Sequence, residues 1–231
     1  MSWILIVETA TDYCGVALSQ NGTCITTRES TQPRSHAALL TVFMNECVQE
    51  AGLTFSGLDA IAVSNGPGSY TGLRVGLAAA KGVCFAVDKP LITVSTLEAM
   101  AAGLILEHAS SGSRWWCPML DARRMEVYTA VYDNQLQPVL EPVAKIMDAD
   151  SFSDIIKDQY VTFFGNGMAK CRPLLEHFPG SSFDERAGVS LKGLSYRSLH
   201  YYNHSVFSDL NAAGPFYLKE FAGSKPPHLA G

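Results

Sequence analysis

Residues 58–76 carry the reading of the fold: Leu58-Asp59-Ala60-Ile61-Ala62-Val63-Ser64, then Asn65-Gly66-Pro67-Gly68-Ser69-Tyr70-Thr71-Gly72-Leu73-Arg74-Val75-Gly76. A short apolar run of strand length passes without a break into a Gly-rich loop, and the loop into a helical pattern over 71–87. Strand, glycine loop and helix in that order form the building unit of an α/β protein, which places ligands at the loops that follow its strands. The helix is apolar nearly all round except for Arg74 and Lys81, so it has to be covered on most sides. Gly72, Gly76 and Ala80 recur every four residues, a stripe with almost no side chain that is expected to receive another helix.

Upstream, residues 3–8 read as a buried strand, and 14–19 and 23–28 as two more joined across Gln20-Asn21-Gly22-Thr23. Asn-Gly between two such runs predicts a two-residue hairpin with both turn residues at positive φ, which sets Ser19 opposite Cys24. A helix is predicted over 35–51, with Leu40, Phe43, Met44, Cys47, Val48 and Ala51 at three- and four-residue spacing and Gly52 as its stop. Downstream comes a strand at 91–94. Ser95-Thr96-Leu97-Glu98 then has the spacing of a capping box opening a third helix, which makes Glu98 a cap in preference to an acid catalyst.

The polar stretch 108–113 marks a boundary between an N-terminal lobe, 1–108, and a C-terminal lobe, 109–231, whose last segment is expected to pack back on the first. Strands at 115–121, 125–132 and 136–140 follow, then a helix at 151–158 and a strand at 160–164. Gly165-Asn166-Gly167 leads into helices at 168–177 and 190–202, and a loose tail lies around 225–228. Two meander halves, each followed by helices, predict a duplicated architecture although no residue-level repeat is visible.

The chain has 231 residues, 17 basic and 22 acidic, a net charge of −5, with 47% hydrophobic residues, which excludes disorder and a disulfide-stapled miniature. An acidic balance argues against a protein whose main task is to coat nucleic acid. Six cysteines without a C-x-x-C pair, set mostly in apolar runs, read as reduced, buried thiols of a cytoplasmic protein. The N-terminal apolar run stops at Glu8 with no basic leader, so export is not expected. The longest apolar stretch, 73–87, contains two charges and is too short to span a bilayer.

Backbone N–H groups at Gly68 and Ser69, with Arg74 one turn on, could cradle an anion, although the same residues suit a tight strand-to-helix turn. No Gly-Lys-Ser/Thr follows, so this is not a Walker A loop. Glu8, Thr9 and Thr11 at the end of the first strand are candidate contacts to a metal-bound nucleotide, with local turn bonds the preferred alternative. Gly165 and Gly167 occupy a matching place in the second half. Arg123 and Arg124 lie between two strands, either on a solvated hairpin or on a binding patch. His36 has Leu40 four residues on, so no His-x-x-x-His pair holds a metal, and no serine or cysteine has a nucleophile-elbow context. No catalytic or metal-binding residue is assigned.

Six ordered blocks carry a specific resemblance: ILIVETAT at 4–11, CGVAL at 14–18, GPGSYTGLRVG at 66–76, STLEA at 95–99, DARRMEVY at 121–128 and PFYLK at 215–219. Together they resemble the bacterial TsaB (YeaZ) family. The resemblance implies a two-lobed α/β fold of the actin/Hsp70/sugar-kinase type, each lobe a mixed sheet with flanking helices. It implies a non-catalytic subunit that pairs with TsaD and, with the ATPase TsaE, supports threonylcarbamoylation of the adenosine beside the anticodon of ANN-decoding tRNAs. Pairing, and homodimerisation in isolation, would use the helices at 35–51 and 71–87 in a four-helix bundle. That assigns His36, Leu39, Leu40, Phe43, Arg74, Gly76, Leu77 and Ala80 to the interface. The chain would hold no cofactor of its own, with ATP or ADP at a shared interface, and would meet tRNA through the complex, Arg123 and Arg124 being the candidate direct contacts. A "glycoprotease" activity, a label the family has carried, does not suit a chain without the paired histidines. Two departures stand out: Glu8 replaces the Asp of kinases of this superfamily, and Lys219 stands where the family often has Arg. The alternative expectation is a stand-alone ATP-dependent phosphotransferase with Glu8, Thr9, Thr11 and residues 165–167 around the phosphates.

Overall fold

The strand of residues 3–8 forms as expected, β1 (Trp3–Glu8), and it is apolar up to the buried Glu8 because both of its faces are covered. A computed structural model describes residues 1–32, 36–108, 114–156 and 159–219. β2 (Cys14–Gln20) and β3 (Thr23–Ser30) form the predicted hairpin, with Asn21 at φ 47° and Gly22 at φ 82°, and Ser19 pairs with Cys24 across a bulge. α1 (His36–Glu50), β4 (Ala60–Gly66), α2 (Tyr70–Val87), β5 (Leu91–Ser95) and α3 (Thr96–Glu107) follow.

The second half repeats the plan with β6 (Trp115–Asp121), β7 (Glu126–Tyr132), β8 (Pro138–Ile146), α4 (Ser153–Ile156), β9 (Val161–Phe164), α5 (Met168–Leu175), β10 (Ser181–Asp184) and α6 (Leu191–Asn203). The sheet orders are β3-β2-β1-β4-β5 and β8-β7-β6-β9-β10. In each sheet the first three strands pair antiparallel and the last two join in parallel, so the duplication predicted from the pattern holds strand for strand. β10 was not expected. It is a four-residue edge strand, Ser-Ser-Phe-Asp, too short and polar to leave a periodic signal.

Side chains alternate along β1, so the two faces of the first sheet meet different helices. Leu5 and Val7 join Leu40, Met44 and Cys47 of α1 and Leu77, Ala80 and Cys84 of α2. Ile4 and Ile6 join Ala99 of α3 and Leu191 and Leu194 of α6. A helix from the second half of the chain therefore closes the inner face of the first sheet. Each leucine that α6 buries there contributes about 1.5–3 kcal/mol. The capping box does not form: Ser95 makes no side-chain cap, and Glu98 instead turns to α6, paired with Arg197 at 2.6 Å and accepting the Tyr201 hydroxyl at 2.8 Å. A charged and a phenolic donor outcompete a single backbone amide.

Beyond α6 the chain returns along the first sheet. Ser208 bridges to Leu91 at the β5 edge, and the Lys81 ammonium donates to the Ala213 carbonyl at 3.0 Å. The Phe216 N–H donates to the Asn65 carbonyl at 2.6 Å, and Tyr217 stacks on Tyr70 with centroids 5.0 Å apart. Lys219 pairs with Glu126 of β7, so this strap touches both halves of the molecule. The predicted lobe boundary at 108–113 lies almost wholly outside the described residues, as does the tail at 225–228. Among the described residues no helix is long and apolar enough to cross a membrane, and the cysteines are free, five of them buried.

Candidate functional site

The loop between β4 and α2 packs against the turn that follows β1. The Ser69 N–H donates to the Ala10 carbonyl at 2.6 Å, and the Ser69 hydroxyl accepts from the Gly72 N–H as the cap of α2. The Thr9 hydroxyl donates to the Gly72 carbonyl at 2.8 Å, and Thr11 accepts from the Tyr13 N–H. A Cβ at Gly68 would collide with the Ala10 carbonyl, one at Gly72 with the Thr9 carbonyl, and one at Gly76 with the Thr9 hydroxyl. Glu8, Thr9, Thr11, Gly68 and Ser69 are thus brought together, but as a tight internal joint. The Ser69 and Gly72 amides, which point where an anion would be cradled, are spent on the chain's own oxygens.

The second loop behaves the same way. The Gly165 N–H donates to the Ala187 carbonyl and the Gly167 N–H to the Met119 carbonyl, while Gly167 lies against the end of β6. The two glycine loops sit at equivalent places in the two halves, each closing its strand ends.

Glu8 is fully buried, its Oε1 accepting from the Ala10 N–H at 2.7 Å and from the Ser64 hydroxyl at 2.8 Å. Desolvation pushes its carboxyl up to about 7, against the opposing pull of those donors. The unfolded chain ionises Glu8 near 4.5 while the folded chain keeps the proton until about 7, so stability falls as pH rises through that window. Relative to Glu8→Gln, the native chain is expected to lose roughly 2–3 kcal/mol between about pH 5 and about pH 8. Urea unfolding of both proteins at the two pH values checks this; parallel pH dependence would contradict it.

The interface expected from the helices divides in two. Leu40, Gly76, Leu77 and Ala80 are buried within the chain, so the small-residue stripe receives Thr9 and the first sheet, not a second protein's helix. That assignment is corrected. His36, Leu39 and Phe43 are half-buried, with the His36 ring 3.2 Å from the Tyr13 carbonyl, and Arg74 is exposed. The outward row of α2 is Arg74, Ala78, Gly82 and Phe85, and Phe85 is 86% exposed. On α1, Val42 is 47% exposed, beside Ala38 and Thr41. The sequence does not single out Phe85, because the 72/76/80 row and the 74/78/82/85 row of α2 share one periodicity.

A model of the family described as TsaD, tRNA N6-adenosine threonylcarbamoyltransferase, matches residues 27–207. The chain is 30% identical over 187 residues to the tRNA threonylcarbamoyladenosine biosynthesis protein TsaB of Bacillus subtilis (strain 168), covering 77% of each chain. It belongs to the TsaB family. The TsaB of Escherichia coli (strain K12) is 35% identical over 129 residues, 56% of this chain and 54% of that one, so the match spans about half the length of that relative. The solved structure of YeaZ from Pseudomonas aeruginosa superposes with a TM-score of 0.77 at 25% identity, covering 94% of this chain and all of that one. A ROK family protein from Streptococcus pneumoniae TIGR4, at 8% identity and a TM-score of 0.51 over 87% of this chain, shares the two-lobed fold alone.

In this TsaB-family chain the hairpin 121–126 is built more tightly than a solvated turn requires. Arg123 at φ 70° and Arg124 at φ 50° both adopt the left-handed conformation. The Lys170 ammonium pairs with Asp121 and donates to the Arg124 and Glu126 carbonyls, and Asn166 accepts the Asp121 N–H. Among the described residues no group of three His, Cys, Asp or Glu side chains could hold a metal ion.

Proposed function

We propose that the chain acts in the cytoplasm in threonylcarbamoyladenosine biosynthesis on tRNA, as a non-catalytic subunit that docks on a TsaD-family transferase and works with a TsaE-type ATPase. The names of the TsaB relatives and the match to the TsaD family support the pathway. The docking role rests on one observation, the outward face of α1 and α2, where Phe85 and Val42 stand in solvent beside small residues that let a partner helix approach. A homodimer would use the same face when the partner is absent. The Ser69, Gly72, Gly165 and Gly167 amides are engaged within the chain, which supports a reading in which ATP or ADP sits at the interface with the transferase.

An activator of this kind must bind the active state of its partner more tightly than the inactive one. Phe85→Glu places a charge on the docking face in place of its largest exposed side chain and is expected to weaken pairing with the transferase at least about a hundredfold. Its stability should stay within about 0.5 kcal/mol of the parent, because the side chain has no packing in the free chain. Size-exclusion of the mixed proteins, with urea unfolding as the control, tests this. Undiminished pairing overturns the docking face, and ATP turnover by the isolated chain would favour the phosphotransferase alternative.

A further inference from the structure

The turn 121–126 spends the side chains of Lys170 and Asp121 on holding two arginines outward. Consecutive non-glycine residues in the left-handed region are costly and persist only where their surroundings impose them. Here the imposing groups are Lys170, which ties Asp121 to two carbonyls of the turn, and Asp121, which accepts the Arg123 N–H at 2.9 Å. Asp121 is thereby occupied, and Glu126 is paired with Lys219 of the strap. Among the described residues neither the Arg123 nor the Arg124 guanidinium makes a hydrogen bond or ion pair, and both residues are exposed. Four cations thus meet two neutralised carboxylates in a protein whose net charge is −5.

We propose that this braced turn is a contact for the phosphate backbone of RNA, with Arg123 and Arg124 as the phosphate-binding groups and Lys170 as the residue that positions them. Guanidinium forks match phosphate oxygens bidentately, and a run of phosphates presents such oxygens at every nucleotide. The proposal rests on the reading that the chain works on tRNA, and it adds that this subunit touches the RNA itself.

The test titrates fluorescently labelled unmodified tRNA with the chain paired to its transferase, following anisotropy from about 50 to about 300 mM salt. Arg123→Gln/Arg124→Gln is expected to weaken binding roughly ten- to a hundredfold at about 100 mM salt and to lower the slope of log affinity against log salt by about 1–2. Lys170→Met should produce a smaller loss with a smaller change of slope, since it frees the turn without removing a guanidinium. Arg172→Gln, which removes a surface arginine paired with Glu185 elsewhere, should leave affinity within about twofold of its parent and exclude a net-charge effect. Unchanged affinity and slope in the double variant overturn the proposal. Equal capture of polyglutamate by the parent at the same salt overturns the choice of RNA. If the parent fails to pair with the transferase, the docking reading falls, and the same titration on the chain alone decides the RNA contact by the same two readouts.

Discussion

Replacing Arg197 by methionine is expected to cost about 3–5 kcal/mol of stability. Arg197 and Tyr201 lie four residues apart on α6 and converge on Glu98 of α3, the Arg–Glu pair closing at 2.6 Å with side chains only 12% and 11% exposed. The guanidinium also stands 5.0 Å above the Tyr201 ring. Methionine keeps the length of the side chain and leaves Glu98 in an almost dry site with a single phenolic donor. The expense is the stranded carboxylate, so Glu98→Gln combined with Arg197→Met should recover more than half of the loss. Urea unfolding of the two single variants and the double variant measures both terms. A loss below about 1 kcal/mol for Arg197→Met would show that the pair is already solvated.

Gly72→Ala and Gly82→Ala make the same chemical change ten residues apart in α2 and should move stability in opposite directions. At Gly72 the new methyl group meets the Thr9 carbonyl, a backbone atom that cannot swing aside, and the expected loss is about 3 kcal/mol or more. At Gly82 a Cβ meets nothing within 4 Å, and the gain in helix propensity should stabilise by about 0.5–1 kcal/mol. Thermal or urea midpoints of the two variants decide the matter. A Gly72→Ala protein as stable as its parent would mean that the joint between the glycine loop and the end of β1 is loose.

The contrast explains what could be read from the sequence. The hairpin at Asn21-Gly22, the strand into the glycine loop, and the duplicated plan are local patterns, set by turn chemistry and by alternation along a strand. The stripe Gly72/Gly76/Ala80 reads as a packing surface, but a period of four residues does not say what packs there, and the occupant is the chain's own Thr9 and first sheet, not another helix. The capping box at Ser95 and Glu98 failed because its competitor, Arg197, is distant in sequence. The Ser69 amide is likewise taken by a distant group, since the Ala10 carbonyl that accepts it sits across a strand pairing. The strap after α6 has no periodicity, so nothing before the structure connected Tyr217 with Arg74 or Lys219 with Glu126. Of the turn at Arg123 and Arg124, the charge was visible and the brace through Lys170 was not.

The closure of the first sheet by α6 has a bearing on how the chain is made. β1 to β5 are synthesised first, yet the face carrying Ile4, Ile6, Ala62 and Ile92 waits for Leu191 and Leu194. At roughly 5–20 residues per second, the about 95 residues between Ser95 and Leu191 take on the order of 5–20 s to appear. For that interval the nascent chain carries a nearly complete sheet with an oily, half-covered side, a natural client for a ribosome-associated chaperone. The first sheet to leave the tunnel is the last to be sealed.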